Sequence, residues 1–234
     1  MSARSFFLKE ALSNHSDALF GGPMDFLLRF LKKHYGHPLV GQLDIDSAGA
    51  VTVHHRIILE NPLLRRYYAS MYRYFQEKEK TVEDLNFSSL EIGCGGGFIK
   101  EYLPGVITSD VVAADWVDRV EDASSLNFGP NSLKAIYANG VLHHIKDPVG
   151  CLSEIERVLA PGGVFVCNEP SSTRLGYFMN RHFHHEATDR DVCEWNAGIP
   201  DQSGRLSGAN MALPYIIFRR DAALFAKRFP NLKI

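Results

Sequence analysis

Apolar residues recur at helical spacing through the first eighty positions. After Gly21-Gly22-Pro23, Met24, Leu27, Leu28 and Leu31 fall three or four apart, which predicts a helix with one apolar face. Asn61-Pro62 marks a second helix start, with Asn as the cap and Pro in the first turn. Leu63, Leu64, Tyr67, Tyr68, Met71, Tyr72 and Phe75 then share one broad face. Between these two segments, Leu43-Asp44-Ile45-Asp46 and Val51-Thr52-Val53 alternate around Ser47-Ala48-Gly49, a pattern that predicts a small hairpin. Residues 1–80 are therefore expected to form a mostly helical N-terminal cap.

The period changes in residues 81–234. Short apolar runs at Phe87–Ile92, Val106–Ser109, Val117–Val120, Leu133–Ala138 and Val164–Cys167 read as strands. Before the last of them, Cys151, Leu152, Ile155, Val158 and Leu159 line one face of a helix, and Pro161-Gly162-Gly163 is expected to stop it. Strands alternating with helices imply right-handed crossovers and a doubly wound α/β fold, its sheet mostly parallel and covered by helices on both faces. Residues 170–218 read as irregular, forming a cap or insert over about 170–215, and Asp221–Arg228 resumes a helix.

Composition narrows the class. The chain has 234 residues, 45% hydrophobic and 22% charged, as expected of a globular protein with a sizeable core. A net charge of −2 provides no basic excess to hold a nucleic-acid backbone, so no nucleic-acid partner is expected. Cys94, Cys151, Cys167 and Cys193 form no Cys-x-x-Cys pair, and Phe6-Phe7-Leu8 is too short for a signal-peptide core. Reduced thiols and a cytoplasmic location are expected. The uncharged stretch Leu206–Phe218 is too short to span a membrane.

The first predicted strand runs into Leu90-Glu91-Ile92-Gly93-Cys94-Gly95-Gly96-Gly97. A dinucleotide fingerprint Gly-x-Gly-x-x-Gly fails here, because Phe98 or Lys100 stands where the last glycine belongs. No Gly-Lys-Ser/Thr of a P-loop follows either. The pattern that fits is acid-x-Gly-x-Gly-x-Gly from Glu91 to Gly97. Downstream, Asp110 ends the second strand and Asp122-Ala123 follows the third. Ala138-Asn139-Gly140-Val141-Leu142-His143-His144 leaves the fourth, and Arg157-Val158-Leu159-Ala160-Pro161-Gly162-Gly163 leads into the fifth. In this order, across residues 88–169, the elements resemble class I S-adenosylmethionine-dependent methyltransferases. The texture is nearest to the small-molecule branch that includes the quinone-biosynthesis enzymes.

The resemblance implies a Rossmann-like sheet, S-adenosyl-L-methionine as cofactor, and a small-molecule methyl acceptor. It places Glu91, Gly93, Cys94, Gly95 and Gly97 at the cofactor turn, Asp110 with Val111 at the ribose hydroxyls, and Asp122 with Ala123 beside the adenine. Asn139 and Gly140 would lie next to the transferred methyl. His143 and His144 are the catalytic candidates, as a general base if the acceptor must lose a proton, or else as packing histidines. Tyr67, Tyr68, Tyr72 or Phe98 could offer an aromatic face to a sulfonium. Glu91 with the glycines also reads as a tight structural turn, and Asp110 as a helix cap.

His182, His184 and His185, near Glu186 and Asp189, lack regular ligand spacing, so no metal ligands are expected. With Arg174, Arg181 and Arg190 the segment reads as an acceptor-facing cap or a solvated loop. Two departures from the family pattern stand out. Only six residues separate Asp110 from Val117, too few for the usual helix. The usual sixth and seventh strands are not found here: Leu232-Lys233-Ile234 could begin the sixth, and either the natural chain continues or another chain completes the edge. An incomplete sheet edge makes a homo-oligomer a reasonable expectation. The expected function is methyl transfer to a small molecule. The rivals are a cofactor-binding module without turnover and a nucleic-acid methyltransferase, the latter disfavoured by Asn139-Gly140-Val141-Leu142, which lacks Pro-Pro-aromatic.

Overall fold

A computed structural model describes residues 47–170, 173–183, 186–195 and 209–233. The helix expected after Pro23 lies outside them. Helix α1 spans Ala48–Glu60, so the hairpin expected around Ser47-Ala48-Gly49 does not form on its Val51-Thr52-Val53 side. Leu43–Asp46 lie outside the described residues. The alternation at Val51 and Val53 is too short to outweigh the helical set Ala50, Val51, Ile57 and Ile58, all of which are buried. Helix α2 spans Pro62–Lys80, and the Asn61 side chain accepts from the N–H of Leu63 at 3.0 Å and of Leu64 at 3.2 Å. That satisfies donors with no partner inside the helix.

Strands β1 (Ser88–Ile92), β2 (Ile107–Asp110), β3 (Arg119–Val120), β4 (Leu133–Asn139) and β5 (Leu159–Asn168) form a five-stranded sheet in the order β3-β2-β1-β4-β5. Every pairing is parallel, as the α/β reading expected. The chain order reverses between β1 and β4, and such a switch point opens a crevice beyond the carboxyl ends of the strands.

Successive side chains in a strand point to opposite faces. Leu90, Ile92, Ile136 and Ala138 face one core, shared with Cys151, Leu152, Ile155 and Val158 of α3 (Pro148–Val158). Ala135 and Tyr137 face the other, against Met71, Tyr72 and Phe75 of α2. Helices thus cover both faces, and α2, although it precedes the sheet in the chain, is packed into the sheet's core.

Two segments differ from expectation. Helix α3 stops at Val158, before Pro161-Gly162-Gly163, which lies instead inside β5, and Leu159, expected on the helix, begins that strand. The register jumps from Leu133↔Leu159 to Ala135↔Val164, so the extra residues are absorbed as a bulge. Glycine is needed there, because a Cβ on Gly163 would lie 2.8 Å from the Lys134 carbonyl oxygen. Nor is 170–218 irregular throughout. It holds α4 (Arg174–Phe183) and α5 (Leu213–Tyr215), which runs on as a π turn, Ile216–Arg220. Leu213, Ile216 and Ile217 are buried and only Arg219 and Arg220 are exposed, so this short element offers too few turns for a 3.6-residue period to be read. Helix α6 spans Ala222–Arg228 as expected.

Candidate functional site

A cavity of about 1000 Å³ opens beyond the carboxyl ends of β1, β2 and β4. Gly93, Cys94 and Gly95 from the turn after β1 line it, as do Asp110 and Val111 from the tip of β2. Asp122 and Ala123 after β3, Asn139 and Gly140 at the end of β4, and His144 beyond it complete the set of sequence-expected residues in the wall. Glu91, Gly97 and His143 do not reach the cavity surface; they lie directly behind it.

The turn is shaped by contacts that exclude side chains. Gly93 has φ 58°, and a Cβ there would meet Val141 at 2.7 Å. A Cβ on Gly97 would run into the Tyr72 hydroxyl. Asp110 ties the turn to β2: one carboxylate oxygen accepts from Gly95 N–H at 2.9 Å and the other from Val112 N–H at 3.0 Å. Asp110 thus does cap local N–H groups, while its residue also lines the cavity.

Helix α1 roofs the same turn. His55 Nδ1 lies 2.9 Å from the Gly96 carbonyl oxygen, and Trp116 Nε1 donates to the Gly95 carbonyl at 2.7 Å. The two rings stack at 3.9 Å. No helix intervenes between β2 and β3 among the described residues, and Trp116 occupies that short connection. Helices α1 and α2 add a largely apolar and aromatic side to the wall, with Val51, Ile57 and Ile58 beside His54 of α1, and Leu64, Tyr68 and Tyr72 of α2. Sequence reasoning named Tyr68 and Tyr72 as candidate faces; the α1 wall was hidden by the hairpin expectation.

Glu91 is 1% exposed. Burial pushes its carboxyl well above the usual carboxylate range; the Tyr72 hydroxyl opposes that shift and the charge of Asp110 adds to it. Its Oε2 has no hydrogen-bond partner among the described residues. Burial likewise pushes the Cys94 thiol up, so it is no thiolate nucleophile.

A polar cluster closes the far end. His143 Nδ1 lies 2.7 Å from Glu169 Oε2, and Glu169 Oε1 accepts from the N–H of Val141 at 3.0 Å and of Leu142 at 2.8 Å. The opposite nitrogen of His143 is 3.4 Å from Glu186, and His144 Nε2 is 3.5 Å from the same carboxylate. Burial alone would push the His143 pKa down; Glu169 and Glu186 reverse this and hold it up at about 9. Sequence reasoning missed Glu169, which follows the last residue of β5. Its position just past a strand's carboxyl end was the signal that could have found it. Arg190, in the segment read as an acceptor-facing cap or a solvated loop, has its guanidinium carbon 3.8 and 4.7 Å from the ring centres of Tyr177 and Tyr215. His184 and His185, and the side chains of Arg174, Arg181 and His182, lie outside the described residues.

Residues 90–167 match the family model described as a methyltransferase domain. The chain is similar to methyltransferases over this span. It is 36% identical over 94 residues to cycloartenol-C-24-methyltransferase 1 of Oryza sativa subsp. japonica, covering 40% of this chain and 24% of that protein. It is 30% identical over 98 residues to the ubiquinone biosynthesis O-methyltransferase of Cereibacter sphaeroides, covering 34% of this chain and 39% of that protein. The matched part of the chain thus spans between a quarter and two fifths of these relatives. Among solved structures, the CurJ carbon methyltransferase superposes with a TM-score of 0.46 at 18% identity, covering 78% of this chain and 54% of that one. The matched span of the domain runs from Leu90 in β1 to Cys167 near the end of β5, so every expected cavity residue from Glu91 to His144 falls inside it. No helix among the described residues is long and apolar enough to cross a membrane.

Proposed function

We propose that this protein transfers a methyl group from S-adenosyl-L-methionine to a small-molecule acceptor. One observation carries the reading: separate chain segments bring Gly93, Cys94, Gly95, Asp110, Val111, Asp122, Ala123, Asn139 and Gly140 to one cavity wall, with His144 at its far end. The donor set suits the cofactor. Asp110 and Asp122 are acceptors for ribose hydroxyls and an adenine amino group, and the glycine turn lets backbone approach the amino-acid portion closely. Tyr68 and Tyr72 present aromatic faces that favour a cation. When bound, the cofactor supplies an electrophilic methyl on a sulfonium.

This chain's residues orient and enclose. Holding donor and acceptor in register can supply ~7–11 kcal/mol of a barrier. Glu91 and Gly97 support the turn from below. His144, in the wall, faces the acceptor end, where its imidazole or the Glu186 carboxylate can take an acceptor proton. His143 is a positioning residue behind Gly140, held by Glu169. The apolar α1 and α2 wall suits an acceptor with a hydrophobic body. The four free cysteines, Cys94, Cys151, Cys167 and Cys193, support a reducing, cytoplasmic setting.

Calorimetry with S-adenosylmethionine, its demethylated product and NAD tests the reading. Binding of the first two and not of NAD is the expected result; NAD binding alone overturns it. Turnover with any acceptor separates an enzyme from a cofactor-binding module.

A further inference from the structure

His143, His144 and Glu186 converge from two distant chain segments, and one ligand-type atom from each lies within 4.8 Å of the others. His143 Nε2 lies 3.4 Å from Glu186 Oε2, and His144 Nε2 lies 3.5 Å from Oε1 of the same carboxylate. Those are long for charge-assisted hydrogen bonds, which run about 2.7–2.9 Å. They match another geometry. Ligand atoms about 2.0–2.1 Å from a tetrahedral zinc ion stand roughly 3.3–3.4 Å apart.

The surroundings agree. Glu169 sits 2.7 Å from His143 Nδ1 and thereby turns Nε2, the other ring nitrogen, toward Glu186. A carboxylate behind a ligand histidine orients the ring and raises its basicity, the usual support of a metal site. Glu169 is itself anchored by the Val141 and Leu142 N–H groups. His143 and Glu186 side chains are 6% exposed, whereas His144 is 18% exposed and, with Glu186, lines the cavity. With two ligands on the cavity wall and His143 behind them, three protein ligands leave one position of a tetrahedral ion for a group from the cavity, the arrangement of a catalytic rather than a structural zinc site. Two imidazoles and one carboxylate form a borderline donor set that suits zinc and other first-row divalent ions better than magnesium or calcium.

We propose that His143, His144 and Glu186 bind a divalent transition-metal ion, zinc fitting best, with an open position that takes an oxygen atom of the acceptor. The metal site stands on its own geometry; the acceptor part rests on the methyltransferase reading above. An oxygen held by the ion is polarised and gives up its proton to water more readily. The acceptor class that follows is a molecule with an ionisable hydroxyl, enol or carboxylate group.

The test uses the full chain, stripped with a chelator and titrated with Zn²⁺ by calorimetry, and with Co²⁺ followed by visible absorption. The expected result is one equivalent bound, with intense Co²⁺ bands of a tetrahedral site. Glu186→Gln and His144→Ala should each weaken binding at least tenfold. S-adenosylmethionine affinity, measured alongside, should survive in Glu186→Gln and fall in Asp110→Ala, which should keep its Zn²⁺. Failure of the cofactor reading and failure of the metal site are thereby read separately. Should Glu186→Gln not fold, thermal unfolding of the unaltered protein decides: a zinc-dependent rise in melting temperature, reversed by chelator, supports the site. Absence of stoichiometric binding, or binding unchanged in both variants, overturns it.

Discussion

Glu169 serves His143 and the turn that carries it with the two oxygens of one carboxylate: Oε2 lies 2.7 Å from Nδ1, while Oε1 accepts the Val141 and Leu142 N–H groups. Gln at this position retains one acceptor oxygen and cannot do both. Glu169→Gln should therefore lower turnover by up to ~100-fold, the cost of a group misplaced by about an ångström. Cofactor affinity should change less than about threefold, under ~0.7 kcal/mol. Steady-state kinetics and calorimetry on the same preparation check this; a variant at full rate removes Glu169 from the site.

Asp110 holds the glycine turn through Gly95 and Val112 and lines the cavity. Asp110→Ala should weaken S-adenosylmethionine binding by ~1–3 kcal/mol, the cost of leaving buried hydrogen-bonding groups without an acceptor. Titration calorimetry reads the effect directly, and unchanged affinity takes Asp110 out of the cofactor site.

Glu91 should show a conflict between stability and binding. Burial holds its carboxyl pKa above the unfolded value, so the folded protein binds an extra proton. Stability from that proton is fully present below the unfolded pKa and is lost as pH rises through the raised folded value. Gln at this position does not titrate. The melting temperature of Glu91→Gln should therefore gain on that of the unaltered protein as pH climbs from 4 to 8, while its cofactor affinity falls. Thermal scans across that range check the first part; a difference, variant minus unaltered protein, that stays constant or falls as pH rises contradicts it.

At the far end of α2 the linkage has the opposite sign. Burial would raise the Glu79 pKa, but hydrogen bonds from Tyr137 at 2.6 Å, Ser89 at 2.8 Å and Lys134 at 3.0 Å bring it below the usual value. The stability this group contributes is present above its unfolded pKa and lost as pH falls through the depressed folded one. Glu79→Gln should cost ~1.5–3 kcal/mol near neutrality, the range for hydrogen bonds to a charged group. Its deficit should shrink below about pH 4. Urea unfolding at both pH values checks the sign and the size.

Much of this architecture was readable in one dimension. A helix cap such as Asn61-Pro62 acts on the next turn, and a glycine such as Gly93 answers a backbone requirement at its own position. Strand tips such as Asp110 and Asn139 can be placed because a parallel sheet sends every carboxyl end to the same side. The succession of strands and helices along the chain and the row of residues along the crevice follow from such local rules. The partnerships around them do not. Glu169 meets His143 across 26 positions and His55 meets Gly96 across 41. Val51 and Val53 could pass for strand residues until the surface that α1 buries was known. Glu186 joined a loop of ambiguous histidines until the fold laid it against His143 and His144. Local conformation is governed by neighbouring residues and can be inferred from them. Contacts between distant segments exist only once the chain has packed, and those contacts assign the buried carboxylates at the far end of the cavity to their partners.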